Sequence, residues 1–177
     1  MIIEIDRFRL RPLDEKDIES LYSFRNSESV IRSLGGFSTG YSRAALGKWL
    51  QFHDGRDDEV LWCLAEKESD RCFGHIGLYN IDHRVRKAEL AIAIGDPGMQ
   101  GKGVGKESCR IMLDYASEQL NLRRVELSYL ANNAAAEKLY QGLGFIEEGR
   151  LIEAQFRDGG YVDVVLMAKF LDGNRDA

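Results

Sequence analysis

Gln100-Gly101-Lys102-Gly103-Val104-Gly105-Lys106 decides how this chain is read. The stretch lies between an apolar, strand-like run and an amphipathic helix predicted from Glu107 to Glu118. Its three alternating glycines leave backbone N–H groups bare, with no Cβ to hold a ligand off. The helix that follows points the positive end of its dipole back at the same place. Together these features predict a cradle for a phosphate or pyrophosphate. A glycine-rich strand-to-helix turn with no ligand is the competing reading of the motif taken alone.

Two phosphate loops can be tested against it. A Walker A loop needs a glycine where Gln100 stands, and Ser or Thr after the Gly-Lys pair. Here Gly105-Lys106 is followed by Glu107, so the magnesium-binding hydroxyl is missing. A dinucleotide fingerprint needs G-x-G-x-x-G. Started at Gly101, its third glycine falls on Lys106; started at Gly103, it falls on Ser108. Both registers fail, which argues against nucleotide-triphosphate and Rossmann-type chemistry.

Composition bounds the rest. The chain has 177 residues, enough for one domain with a real core, read as residues 1–171 followed by a polar tail at 172–177. A net charge of -5 argues against nucleic acid as a partner. Basic residues gather only locally, at Arg84, Arg86 and Lys87 and at Arg123 and Arg124. Cys63, Cys72 and Cys109 are an odd number with no C-x-x-C pair, which predicts reduced thiols and a cytoplasmic protein. No run approaches transmembrane length, and the N-terminus lacks a signal peptide's basic start and long apolar middle, so no membrane is expected. His53, His75 and His83 have no zinc-type spacing, and no metal is expected.

Along the chain, strands and helices alternate without repeats. Strands are predicted at Phe8–Pro12, Val60–Glu66, Cys72–Tyr79, Lys87–Ile94, Arg124–Leu130, Phe145–Ile152 and Tyr161–Phe170. Helices are predicted from Asp14 to Arg25, Ser42 to His53, Glu107 to Glu118, and after Asn133. Asn26 to Tyr41, with Gly35, Gly36 and Gly40, reads as irregular. Asp158-Gly159-Gly160 reads as a hairpin turn. In the strand before the glycine stretch, Leu90, Ile92 and Ile94 form a large apolar face that fits under helices. Glu89, Ala91, Ala93 and Gly95 form a small face that leaves room for a ligand and carries a carboxylate.

A second block sharpens the reading. Asn133-Ala134-Ala135-Ala136-Glu137-Lys138-Leu139-Tyr140 is followed by Gly144-Phe145. Asn133, Ala136 and Tyr140 stand at i, i+3 and i+7 and share one helix face. Asn133 suits a helix start, and Ala136 is small enough for a cofactor tail to lie against it. Tyr140 brings a phenol to the far end of that tail. An ordinary amphipathic helix with a core tyrosine is the bland alternative.

Q-x-x-G-x-G at Gln100, Gly103 and Gly105, followed downstream by N-x-x-A-x-x-L-Y-x-x-x-G-F, resembles the GNAT N-acetyltransferase superfamily. The likeness runs from about Phe8 to Leu171. It is nearest to the ribosomal-protein N-terminal (RimJ/RimL-like) and spermidine acetyltransferase subgroup. Arg9-Leu10-Arg11-Pro12-Leu13, Gly144 to Leu151 and Asp158 to Met167 support that placement. The resemblance implies a single α/β (α+β) domain, with a mixed, mostly antiparallel sheet of six to seven strands and about four helices. It implies a V-shaped cleft between two splayed parallel strands. It also implies acetyl-CoA as acyl donor and an amine-bearing acceptor: a protein N-terminus, polyamine, amino sugar or antibiotic. The pyrophosphate would sit on Gln100, Gly101, Lys102, Gly103, Val104, Gly105 and Lys106. Backbone groups of Ala93, Ile94 and Gly95 would bind the pantetheine arm, and Asn133, Ala136 and Tyr140 would line it.

For catalysis, the resemblance implies direct attack of a neutral amine on the thioester. Tyr140 is the candidate acid for the departing thiolate, or a hydrogen-bond donor to it without proton transfer. Glu89 is the candidate base through a water, with Glu153 and Glu126 as further options. Substrate selection is expected at Asn26–Tyr41, around Trp49 and Phe52, and in the Phe156–Tyr161 hairpin. Asp57, Asp58, Glu59 and Glu153 are either acidic walls for a cationic amine or plain surface charge. An acyl-CoA-sensing module without chemistry, a nucleotide-dependent transferase and an acyl group other than acetyl are the alternatives. A homodimer through an exposed sheet edge is a further expectation.

Overall fold

The structure, a computed structural model, describes residues 2–33 and 40–171. The predicted tail at 172–177 and the centre of the 26–41 stretch lie outside the described residues. One eight-stranded sheet forms the middle layer: β1 (Ile3–Glu4), β2 (Phe8–Pro12), β3 (Val60–Glu66), β4 (Cys72–Asp82), β5 (Lys87–Ile94), β6 (Arg124–Leu130), β7 (Ile146–Arg157) and β8 (Gly160–Phe170). Its order is β1-β2-β3-β4-β5-β6-β8-β7, antiparallel throughout except where β5 runs parallel to β6. The sequence predicts seven of these strands. The two-residue β1 is too short for a periodic signal and exists by pairing with Leu10 and Arg9 of β2.

Helices cover the two faces unequally. Trp62 and Leu64 of β3 point into one cluster with Ile76, Leu78, Leu90 and the buried side of α4 (Val104–Glu118). The alternating Cys63 and Ala65 point the other way, into a second cluster with Leu21 and Phe24 of α1 (Ile18–Arg25), Val30 of α2 (Glu28–Ser33) and Leu46 of α3 (Arg43–His53). The fifth helix, α5 (Ala134–Gln141), joins the α4 side through Tyr140. Among the described residues, the second cluster draws its sheet residues from β3 and β4, and a cavity lies over the same side of β5, β6 and β8, which we call the open face.

Two elements differ from expectation. The 26–41 stretch is not wholly irregular, since Glu28–Ser33 is helical. Of its two apolar residues, Val30 and Ile31, only Val30 is buried, and an exposed Arg32–Glu28 pair at 2.6 Å supports the turn. The second difference is the start of α4. The helix begins at Val104, inside the glycine stretch, and not at Glu107.

The Arg9–Leu13 segment has a structural task. Arg11 is buried and makes two 2.8 Å hydrogen bonds to the Asp17 carboxylate and a third to Asp70 Oδ1. Asp17 Oδ2 also accepts the Asp14 backbone N–H at 2.9 Å, closing the capping box that starts the first helical segment. One guanidinium therefore ties β2, the entry to α1 and the β3–β4 turn together. Cys63 and Cys72 lie beside Asp17, but its oxygens are already committed to Arg11 and Asp14. The hydrogen bond with the neighbouring Cys72, and then burial, push the Cys63 thiol up, so it stays protonated.

Candidate active site

β5 and β6 pair only at their beginnings: Lys87 with Arg124, Ala88 with Val125 and Glu89 with Glu126. Both local basic clusters meet at this end. The Arg86 carbonyl accepts the N–H groups of Arg123 and Arg124, and the Arg86 side chain donates to the Asn121 carbonyl at 2.8 Å. Beyond Glu89 no β5 residue pairs with β6, and the strands part into a V-shaped cleft.

The cleft-facing backbone can be read from register. The Gly95 N–H donates to the Phe73 carbonyl at 2.8 Å, so 95 and 73 are a hydrogen-bonded pair. The β4–β5 register continues this as His75 with Ala93 and Gly77 with Ala91. Ala93 and Gly95 therefore turn their N–H groups toward β4. Ile92 and Ile94 occupy the alternate positions and turn theirs into the cleft. The Ile94 carbonyl already accepts from Gln100 Nε2 at 2.9 Å, which pins the glycine loop to the cleft edge. Of the three residues expected on the pantetheine arm, Ile94 offers backbone groups to the cleft.

The glycine loop has the geometry of an anion cradle. Gly101 and Gly103 have φ of +71° and +82°, and a Cβ on either would meet no atom within 4 Å. Gly103 occupies the N-cap position of α4 and supplies no side-chain cap. The N–H groups of the first turn, Val104, Gly105 and Lys106, thus have neither an intrahelical acceptor nor a capping side chain. Gly105 serves another purpose: a Cβ there would lie 3.4 Å from Ile94 and 3.6 Å from Leu139, where α4 passes between β5 and α5. Lys102 and Lys106 are exposed beside the loop, and Val104 is buried under it. Backbone donors, space left above them and two flanking ammonium groups fit a diphosphate-bearing donor.

On the other side of the V, the Asn133 side chain caps α5 by accepting the Ala136 N–H at 3.1 Å. Tyr140 sits two turns later, buried, with its ring 6.0 Å from Tyr129 and 5.8 Å from Phe145. Burial holds its phenol well above the usual tyrosine range. The hydroxyl is therefore a hydrogen-bond donor at every physiological pH.

On the open face lies a cavity of about 760 Å³ whose walls include Glu59, Tyr79, Glu89, Glu126, Ser128 and Glu148. Tyr79, Glu89 and Glu126 form a cross-strand row over β4, β5 and β6. Glu126 is engaged by Lys87 at 3.2 Å and by Arg124 at 2.7 Å, and Arg124 also reaches Glu148. Glu89 is exposed and makes no ion pair or side-chain hydrogen bond among the described residues. Burial and the charge of Glu59 push the Tyr79 phenol up to about 12, with Arg25 opposing. Of the four acidic residues considered as walls, Glu59 lines this cavity. Asp58 pairs with Arg56 at 2.8 Å, Asp57 is exposed, and Glu153 has no place in the cavity wall.

A cluster that sequence reasoning missed borders the site. The Arg25 guanidinium lies 4.0 Å from the Trp49 ring centroid and 5.6 Å from that of Tyr41, and donates to His75 Nε2 at 2.9 Å. Arg can only donate, so Nε2 is the acceptor and Nδ1 carries the proton of the neutral ring. Among the described residues that buried Nδ1–H has no partner, nor does Arg25 Nε. Burial, Arg25 and His53 lower the His75 pKa to about 3. Arg25, Tyr41, Trp49 and His75 come from three helix-side segments and β4, and no spacing in the chain signals their meeting. Phe52 is exposed under Arg56, and the Phe156–Tyr161 hairpin lies at the sheet's outer edge, outside the cavity.

Known proteins place these features together. The model of the acetyltransferase (GNAT) domain matches residues 7–146. The spermidine N(1)-acetyltransferase of Vibrio cholerae is 29% identical over 167 residues, covering 92% of this chain and 95% of that protein. The Escherichia coli K12 enzyme of the same name is 31% identical over 166 residues, covering 92% and 85%. A putative ribosomal N-acetyltransferase of Bacillus subtilis, YdaF, is 34% identical over 92 residues, covering 52% and 50%. The crystal structure of the Vibrio cholerae spermidine N-acetyltransferase in complex with CoA and spermine superposes with a TM-score of 0.86 at 28% identity, covering 94% of this chain and 97% of that one. The chain is an acetyl-CoA-dependent N-acetyltransferase and belongs to the GNAT acetyltransferase family.

Proposed function

We propose that the acceptor is a small polyamine, acetylated at a primary amine in the open-face cavity. The observation that carries this is the cavity itself: its carboxylates line the face opposite α4 and α5, where an amine can approach the cleft from the side the donor leaves free. Two relatives matched over nearly their whole length act, by name, on spermidine.

Each residue then has a defined part. Glu89, uncommitted and at the point where the strands separate, takes a proton from the ammonium through a water. The neutral amine attacks; the C–N bond forms as the C–S bond breaks. Negative charge growing on the carbonyl oxygen meets the cleft-facing N–H of Ile94. The Tyr140 phenol donates a hydrogen bond to the departing thiolate. Its raised pKa makes full proton transfer uphill, so the second proton leaves the new amide to water. Gln100 to Lys106 hold the diphosphate, and Asn133 and Ala136 flank the arm.

Free-thiol release with acetyl-CoA tests this, run against spermidine, spermine, aminoglycosides, amino sugars and short peptides with free N-termini. Turnover is expected with the polyamines. Turnover confined to peptides or sugars would overturn the acceptor assignment. We place the reaction in the cytosol, since all three cysteines are buried free thiols. We also propose a homodimer through β7. This 12-residue edge strand exposes Ile146, Leu151, Ile152 and Phe156, and its alternating Glu147, Arg150, Glu153 and Arg157 suit an antiparallel second copy. Sedimentation velocity at micromolar protein should show a dimer that Ile152→Lys dissociates; a monomeric wild type would reject it.

A further inference from the structure

Two carboxylates beside Tyr79 are held in opposite ways. Glu89 is the third residue of β5, is exposed and makes no ion pair or side-chain hydrogen bond among the described residues. Glu59 enters from the loop before β3, and its side chain is only 9% exposed. His53 Nδ1 bonds to Glu59 Oε2, and Arg56 Nε lies 3.0 Å from Oε1. The His53 ring is itself packed between Trp49, at 4.6 Å, and Tyr79, at 6.0 Å. Glu59 is thus fixed in position, backed by an aromatic wall and paired with a permanent cation.

These surroundings suit different work. A base must gain and lose a proton and needs freedom to reach water, which Glu89 has. A carboxylate clamped by a guanidinium and an imidazole is held at one fixed place. Chemically like groups take unlike roles when their environments differ. Tyr79 lies between the two, across the ladder from Glu89 and close enough to feel the charge of Glu59.

We propose that Glu59 is the specificity-determining residue for the acceptor, anchoring a second, non-reacting ammonium while Glu89 serves the reacting amine. The acceptor class is therefore a diamine or polyamine, two amino groups joined by a short apolar chain that lies along the Tyr79 ring. This rests on the acetyl-transfer reading above and adds which feature of the acceptor is recognised. A monoamine of equal chain length fills the same space but brings no second ammonium to Glu59, whose one partner cation is then Arg56.

The test compares kcat/KM for butylamine, 1,4-diaminobutane and spermidine in the wild type, Glu59→Gln and Glu59→Asp. In the wild type, 1,4-diaminobutane and spermidine should each exceed butylamine at least tenfold. Glu59→Gln should bring that ratio to within twofold of unity, mainly by raising KM for these two amines. Glu59→Asp keeps the charge and should recover at least a third of the ratio, which separates loss of charge from misfolding. Acetyl-CoA affinity by calorimetry reports that each variant is folded. Equal use of all three amines by the wild type overturns the proposal and leaves acetyl transfer standing, as does a Glu59→Gln enzyme that keeps the preference. Absence of turnover with every amine rejects the acetyl-transfer reading itself, and this proposal with it.

Discussion

The donor side and the acceptor side of the cleft use glycine in opposite ways. In the loop before α4, Gly101 and Gly103 face space that no protein atom fills within 4 Å. At the end of β5 and along β4 the space is taken. A Cβ on Gly95 would lie 2.1 Å from the Phe24 ring, and one on Gly74 would lie 2.4 Å from the Ala93 carbonyl. The first pair leaves room for a ligand, whereas the second lets α1 and the neighbouring strand close in. A glycine's contribution is therefore decided by what stands where its side chain would be.

That contrast can be broken experimentally, most forcefully at Gly95. Gly95→Val should destabilise the fold by about 3 kcal/mol, because the ring of Phe24 must move out of a packed cluster. Thermal unfolding would show a fall of about 6–12 °C. A melting point within 2 °C of wild type would mean the acceptor side is not packed as described.

Tyr140→Phe probes chemistry on the donor side. Removing the hydrogen bond to the thiolate should lower kcat about a hundredfold, equivalent to about 2.7 kcal/mol, and hardly change acetyl-CoA affinity. An unchanged kcat with chemistry rate-limiting would remove Tyr140 from the reaction.

His75 tests the acceptor side through pH. Folded, it titrates near 3 because it is buried beside Arg25, against 6.5 for the free side chain. Below about pH 6.5 the unfolded chain binds a proton that the folded chain refuses. Stability is therefore lost as pH falls from about 6.5 toward 3, at up to about 1.4 kcal/mol per pH unit. At pH 5 this amounts to about 2 kcal/mol. His75→Gln can still accept from Arg25 and should flatten the decline of melting temperature between pH 7 and 5. Parallel declines in variant and wild type would show that His75 is not held neutral.

Gly103→Val is the mildest of the four. The left-handed φ of +82° strains any side chain, and a branched one intrudes on the cradle. Acetyl-CoA Kd should rise about tenfold, equivalent to about 1.4 kcal/mol. Unaltered affinity would place the diphosphate elsewhere.

Legibility followed the same divide. The donor side was readable because its parts are short and contiguous. Gln100 to Lys106 announce their turn by glycine spacing, and Asn133 to Tyr140 their shared face by helical spacing. Even there, the start of α4 inside the motif escaped notice, since glycines suggest a loop while Val104, Gly105 and Lys106 form the first turn. The expectation for Ala93, Ile94 and Gly95 treated three residues alike, and only the β4–β5 register separates those facing β4 from the one facing the cleft. The acceptor side left few traces. Arg25 reads as the end of an amphipathic helix, His75 as a polar residue in a strand and Glu59 as one acid in a charged loop.

By itself, the sequence determined the alternation of strands and helices, the glycine-rich turn into α4 and the α5 face with its tyrosine. These depend on neighbours a few residues apart, through dihedral preference, capping and the 3.6-residue period. Tertiary structure alone decided where β5 leaves β6, which carboxylates share a cavity, and that Arg25 would lie buried against Trp49 beside a neutral His75. Those outcomes depend on burial and on charges from segments 50 residues apart, as Arg25 and His75 are, or further, as Glu59 and Glu148 are. Desolvation and Coulomb energies are set by distance in space, and no local pattern in a chain encodes that distance.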